Sequence, residues 1–91
     1  MSLEFEWDEA KRLANVAKHG IDFYDVLEIF ASPHLEIEAR QTNGETRRLA
    51  VGRLAGRLVT VVFTHRGEAI RIISARRARH GERRQYQALY H

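Results

Sequence analysis

The side chains that could do chemistry in this chain are few and scattered. His19, His65, His80, Lys18, Glu82 and Tyr86 are the groups that could carry a proton, and Arg47, Arg66, Arg71, Arg76 and Arg77 could clamp an anion. There is no cysteine, which removes thiol nucleophiles, disulfides and cysteine-based zinc sites. The histidines lack metal-ligand spacing, and the acids cluster in another part of the chain. No HExxH, glycine-rich phosphate loop or paired-carboxylate motif is present, and Ser74 has no nucleophile-elbow context. Hydride transfer, kinase chemistry, zinc hydrolysis and serine hydrolysis all lose ground. What remains is phosphodiester chemistry without a metal. RNA carries its own nucleophile, the 2′-hydroxyl, so cleavage needs a base, an acid for the leaving 5′-oxygen, and cations for the charged transition state. Arginine suits the last task and is too weak an acid to serve as the base.

Charge is unevenly distributed. Of the 12 acids and 15 bases, residues 1–38 hold nine acids and three bases, a balance of −6, and residues 39–91 hold three acids and twelve bases, a balance of +9. Thirteen of the bases are arginine, which recognises phosphate through a planar fork where lysine acts as a point charge. A GC-rich coding sequence would also favour arginine. The 91 residues support one domain spanning 1–91, with a modest core. The acidic start has no apolar signal region, and no stretch reaches membrane-spanning length, so the expected compartment is the cytoplasm.

The elements that must position these residues are legible. The stretch from Leu58 to Arg77 reads as a β-hairpin, apolar on its first arm and turning at Arg66-Gly67-Glu68. Strict alternation on its second arm puts Arg71 and Arg77 on one face and Arg76 on the other. Leu3 to Trp7 alternates as a short edge strand. Asp8 caps a helix from about Glu9 to Lys18, whose expected buried stripe is Ala10, Leu13, Ala14 and Ala17. Gly20 is a natural left-handed cap, and Lys18 and His19 suit the negative end of the helix dipole, with a place near a phosphate as the rival reading. Asp22 caps a second helix with Phe23, Val26, Leu27 and Phe30 on its buried face, and Ser32-Pro33 stops it. His34 to Arg40 and Thr46 to Leu54 read as strands about a Thr42-Asn43-Gly44-Glu45 turn, with another turn at Ala55-Gly56. A short helix follows Arg77, with Glu82, Tyr86, Leu89 and Tyr90 on one face and Gly81 weakening its first turn. The class is α+β: a helical hairpin over an antiparallel four-stranded meander.

The ordered set of residues resembles the BrnT toxins of bacterial type II toxin–antitoxin systems. It is carried by Phe5-Glu6-Trp7-Asp8, Lys11, Asn15, Lys18-His19-Gly20, Phe23 and Val26, then by Gly44-Glu45-Thr46-Arg47 and Val51-Gly52-Arg53. The most specific part is Arg71-Ile72-Ile73-Ser74-Ala75-Arg76-Arg77-Ala78, followed by Glu82-Arg83 and Tyr86. Arg79-His80-Gly81 departs from the family pattern. The resemblance implies a RelE-like fold and a ribonuclease that works without metal or cofactor and arrests growth. It also implies a cognate BrnA-like antitoxin in a heterotetramer of two of each, with operator DNA bound through the antitoxin. As catalytic candidates it favours Lys18, His19, Arg66, Arg76, Glu82 and Tyr86. As substrate-binding candidates it favours Arg47, Arg71, Ser74 and Arg77. Two other readings stand beside it: a module that binds RNA or antitoxin without cutting, and direct DNA binding through Arg83-Arg84 of the last helix.

Overall fold

The computed structural model describes residues 4–42 and 44–90. The chain runs β1 (Glu4–Glu6), α1 (Glu9–His19), α2 (Phe23–Phe30), β2 (Leu35–Thr42), β3 (Glu45–Leu54), β4 (Arg57–Arg66), β5 (Ala69–Arg77) and α3 (His80–Leu89). The sheet order is β1-β5-β4-β3-β2. The expected meander of β2 to β5 is therefore extended by β1, which pairs parallel to β5 and makes the sheet five-stranded and mixed. Most of the apolar run of β4 lies at the centre of the sheet, where β3 and β5 satisfy both its edges. Leu3 and Asn43, which belong to the expected first strand and first turn, lie outside the described residues. At the β3–β4 turn both Ala55 (φ 51°) and Gly56 (φ 79°) are left-handed, the pair of conformations a tight hairpin turn needs.

The core forms between α2 and one sheet face. Phe23, Val26 and Ile29 of α2 meet Ala50, Val59, Val61, Phe63, Ile72 and Ala75. Asp22 caps α2 by accepting from the Tyr24 N–H. Gly52 gives α2 its close approach: a Cβ there would lie 2.7 Å from Ile29 Cγ2. That carbon is fixed at the branch of a buried side chain and cannot swing aside. Gly52→Ala is expected to destabilise the fold by about 1–3 kcal/mol, read from the shift in urea midpoint. A midpoint within error of the parent would show that α2 slides freely on the sheet.

α1 docks differently from its expected pattern. Leu13 is 56% exposed, and Ala10, Ala14 and Ala17 are exposed too. The buried residue is Asn15. Its carboxamide accepts from the Ala75 N–H (3.1 Å) and donates to the Ala75 carbonyl (2.9 Å) and the Ile21 carbonyl (2.8 Å). β1 pairs only with Ala69–Arg71, so β5 would otherwise run on with a bare edge. The Asn15 side chain replaces the missing strand at Ala75. The stripe of α1 facing β5 is thus Lys11, Ala14, Asn15 and Lys18, one step round the helix from the apolar one.

β5 also departs from strict alternation. Thr64 pairs with Arg71 and Phe63 with Ile72, but Val62 pairs with Ser74, which leaves Ile73 as an extra residue. The bulge reverses the facing of everything after it. Arg71, Ser74 and Arg76 register with Thr64, Val62 and Thr60 on one face, and Arg77 registers with Val59 on the other. The expected sharing of a face by Arg71 and Arg77 is therefore corrected: Arg71 sides with Arg76.

Candidate active site

Beyond the bulge, β5 and the stripe of α1 enclose a cleft of about 410 Å³, lined by Lys11, Lys18, His19, Ser74, Arg76 and Arg79 among others. Each element contributes through its own local rule. Gly20 (φ 70°) ends α1 and donates its N–H to the Val16 carbonyl, so Lys18 and His19 are presented on the last turn. The bulge aims Ser74 and Arg76. Arg79 is the N-cap of α3.

Arg76 is the most constrained of these. Its Nη1 and Nη2 each donate at 2.8 Å to one oxygen of Glu82, and Nη1 also reaches the Arg77 carbonyl at 3.3 Å. The Glu82 carboxylate further accepts from the Thr60 hydroxyl and the Arg79 N–H, both at 2.8 Å. Glu82 is residue N3 of α3, so this last bond is one half of a capping box. A single carboxylate therefore joins β4, the end of β5 and the start of α3. The Arg76 guanidinium is the chief reason its pKa falls to about 2, with the Arg79 N–H and Thr60 hydroxyl adding to it against the cost of burial. At neutral pH Glu82 is ionised and fully engaged, which suits a group that holds Arg76 and not one that trades protons. Because the carboxyl pKa is lowered on folding from 4.5, its contribution to stability is complete above about pH 4.5 and is lost as pH falls towards 2. Glu82→Gln is expected to flatten that acid limb in urea unfolding between those pH values. An unchanged acid slope would mean that the pair does not hold in solution.

The remaining candidates are dispersed. Arg66 and Arg71 sit at the turn end of the β4–β5 hairpin, where Glu6 approaches them at 3.6 and 2.7 Å. Arg71 precedes Arg76 by five residues, roughly 16 Å of strand, so the two cannot grip one phosphate. Arg66 and Arg71 line a larger hollow of about 650 Å³ with Thr46, Arg48 and Thr64. All three of its arginines face carboxylates, since Arg48 pairs with Glu36 at 3.2 Å, and its charge is compensated. Arg47 is on β3, with its Nε buried and unpartnered, away from the cleft. Arg77 points to the opposite face from Arg76. Tyr86 is only 5% exposed, packed against Tyr90 with Arg53 over its ring, which is a packing position; Leu89, expected on the same face, is 59% exposed.

Lys11 and Arg79 belong to the cleft and were absent from the candidate set. The spacing Lys11, Asn15, Lys18 (i, i+4, i+7) is the sequence signal for Lys11, one step round the helix from the apolar stripe. Among the described residues no group of three or more His, Asp or Glu side chains is arranged to hold a metal.

Comparison with known proteins decides the family. The model of the family described as "Ribonuclease toxin, BrnT, of type II toxin-antitoxin system" matches residues 7–82. The chain belongs to the BrnT family. The 1.1 Å crystal structure of the Brucella abortus ribonuclease toxin BrnT is similar, with 34% identity and a TM-score of 0.66, covering 86% of this chain and 99% of that one. Comparison with curated proteins found no match. The BrnT match spans α1, the bulged β5 and the start of α3, so all three walls of the cleft lie within it. No helix among the described residues is long and apolar enough to cross a membrane.

Proposed function

We propose that this chain is an endoribonuclease that cuts RNA in the α1–β5 cleft without a metal ion, arrests growth, and is neutralised by a cognate antitoxin. The observation that carries this reading is the convergence of Lys11, Lys18, His19, Arg76 and Arg79 on one cleft. Imidazole is the side chain whose ordinary pKa lies nearest neutrality, and His19 takes the role of proton carrier for the 2′-hydroxyl or the leaving oxygen. The two lysines and two arginines stabilise the dianionic phosphorane-like transition state. Glu82 is a positioning residue: it fixes the Arg76 fork and occupies part of it, so Arg76 acts as an aimed donor more than as net charge. Ser74, beside Arg76, offers a hydroxyl to a phosphate oxygen.

The purified protein, free of antitoxin and shown to be folded, is incubated with RNA with and without chelator. Cleavage that survives chelation and leaves a 2′,3′-cyclic phosphate is expected, because the internal nucleophile makes that product. No cleavage by folded protein, together with no growth arrest on expression, would discard the reading. A second reading, a binding module that serves operon autoregulation without cutting, draws on the pairing of Arg76 with Glu82; it would appear as RNA or antitoxin binding without product.

Family membership supports the partner assignment: a BrnA-like antitoxin, two copies with two of the toxin, contacting operator DNA through the antitoxin alone. A cationic cleft attracts RNA unless covered, so the antitoxin should lay acidic or amide side chains over it. RNA as substrate and an antitoxin as partner are consistent with work in the cytoplasm.

A further inference from the structure

Behind the β5–α3 connection lies a second cationic surface. A groove is lined by Arg53, Arg57, Arg77, His80, Arg83 and Arg84, with Leu58 and Ala78 in its floor. Among the described residues no carboxylate lines it and none of its five arginines makes an ion pair. In this it differs from the hollow around Arg48, Arg66 and Arg71, where Glu6 and Glu36 cancel the charge. Asp25 and Glu28 enter only at the neighbouring hollow that Arg57 and Arg77 share with His19. The floor is built: the Ala78 N–H donates to the Leu58 carbonyl at 2.9 Å, tying the exit of β5 to the start of β4.

The groove face of α3 carries an unfavourable arrangement. His80, Arg83, Arg84 and Gln87 recur at i, i+3, i+4 and i+7, one stripe of the helix, while Glu82 and Tyr86 face the sheet. Arg83 and Arg84 are bases close to the helix N-terminus and oppose its dipole. The one acid of that first turn, Glu82, is already spent on Arg76. A bound polyanion would relieve that penalty.

We infer that this groove binds the phosphates of RNA flanking the bond cut in the cleft. The inference rests on the reading of RNA as substrate. The segment from Arg76 to His80 contributes alternately to the two sites: Arg76 and Arg79 to the cleft, Arg77, Ala78 and His80 to the groove. Those four peptide steps span at most about 14 Å, so a strand crossing the connection engages both within a few nucleotides. The thin apolar lining argues against a protein occupant, whose interface would need an apolar centre.

The test uses 2′-O-methyl RNA oligonucleotides, which lack the internal nucleophile and report binding whether or not the protein cuts. A short oligonucleotide covering only the cleft is compared with a longer one, at several salt concentrations, for the parent and for R57Q/R83Q/R84Q. The longer strand is expected to bind the parent more tightly and with a steeper salt dependence. The variant, checked for parental unfolding behaviour, is expected to lose that excess, with the slope of log K against log salt shallower by about 2. An excess that persists in the variant, or no length dependence in the parent, would overturn the groove. So would poly-glutamate binding the groove as tightly as the long RNA, which would point to an acidic polypeptide instead. Failure of cleavage alone, with the binding pattern intact, would remove the nuclease reading and leave the RNA groove standing.

Discussion

Arg76→Ala is expected to lower RNA cleavage by about 10²–10³-fold, mainly in kcat, the loss typical of removing one aimed donor from a developing negative charge. The argument is geometric. Two N–H groups of Arg76 are bound by Glu82 and one contact goes to the Arg77 carbonyl. The guanidinium is thereby held in one orientation in a cleft that also contains His19 and Lys18. Because the fork is already rigid, little entropy is lost when substrate arrives. Arg76→Lys keeps the charge but not the fork, and should recover only a small part of the rate. The truncation also leaves the Glu82 carboxylate, with only 12% of its side chain exposed, without its cation, which adds a loss of stability to the loss of rate. The double variant R76A/E82Q separates the two effects. If Arg76 acts on the substrate, removing Glu82 as well restores stability but not rate. A single R76A variant that cuts RNA at the parental rate while remaining folded would sink the assignment.

Asn15→Ala is expected to be the most destabilising small change in the chain, at about 3–5 kcal/mol. Three hydrogen bonds go, and the Ala75 N–H and carbonyl lose their side-chain partner in a buried setting. That is a large part of the 5–15 kcal/mol available to an ordinary domain. For a chain of this size the melting temperature should drop by at least about 10 °C. Asn15→Asp is nearly isosteric and keeps an acceptor for the Ala75 N–H, but it sets a carboxylate against two carbonyl oxygens and should be no better tolerated. A loss below about 1 kcal/mol for both variants would show that α1 is held by other contacts. The same residue links stability to function. Asn15 lies between Lys11 and Lys18 on one stripe, so loosening it moves two cations of the cleft together.

These two residues mark where sequence and structure part. The helix caps at Asp8, Asp22 and Gly20, Phe23 and Val26 on the buried face of α2 and the tight turn at Ala55-Gly56 could be read from residue types, because each depends on neighbours within a few positions; the core takes Ile29 of α2, while Leu27 and Phe30, expected on that face, are only partly buried. The family pattern was legible for the same reason: its words are short and ordered. Lys18, His19, Ser74 and Arg76 were named from sequence, and the fold brings them to one cleft.

What pattern alone could not reach depends on distant backbone. Asn15 stands outside the expected apolar stripe of α1, and its partners come from the bare edge of β5, 60 residues away. The extra residue at Ile73 is invisible to a period-2 reading, since a bulge shows itself only in the pairing of β5 with β4, and it decides which arginines share a face. Glu82 looked like a proton carrier until Arg76, Thr60 and the start of α3 closed around it. By itself the sequence determined the elements, their caps and the supply of cations, because those follow from short-range geometry and composition. Only the tertiary structure decided which cations are aimed, which are cancelled by Glu6 and Glu36, and which are left free, because charge pairing is settled by distance in space and not along the chain.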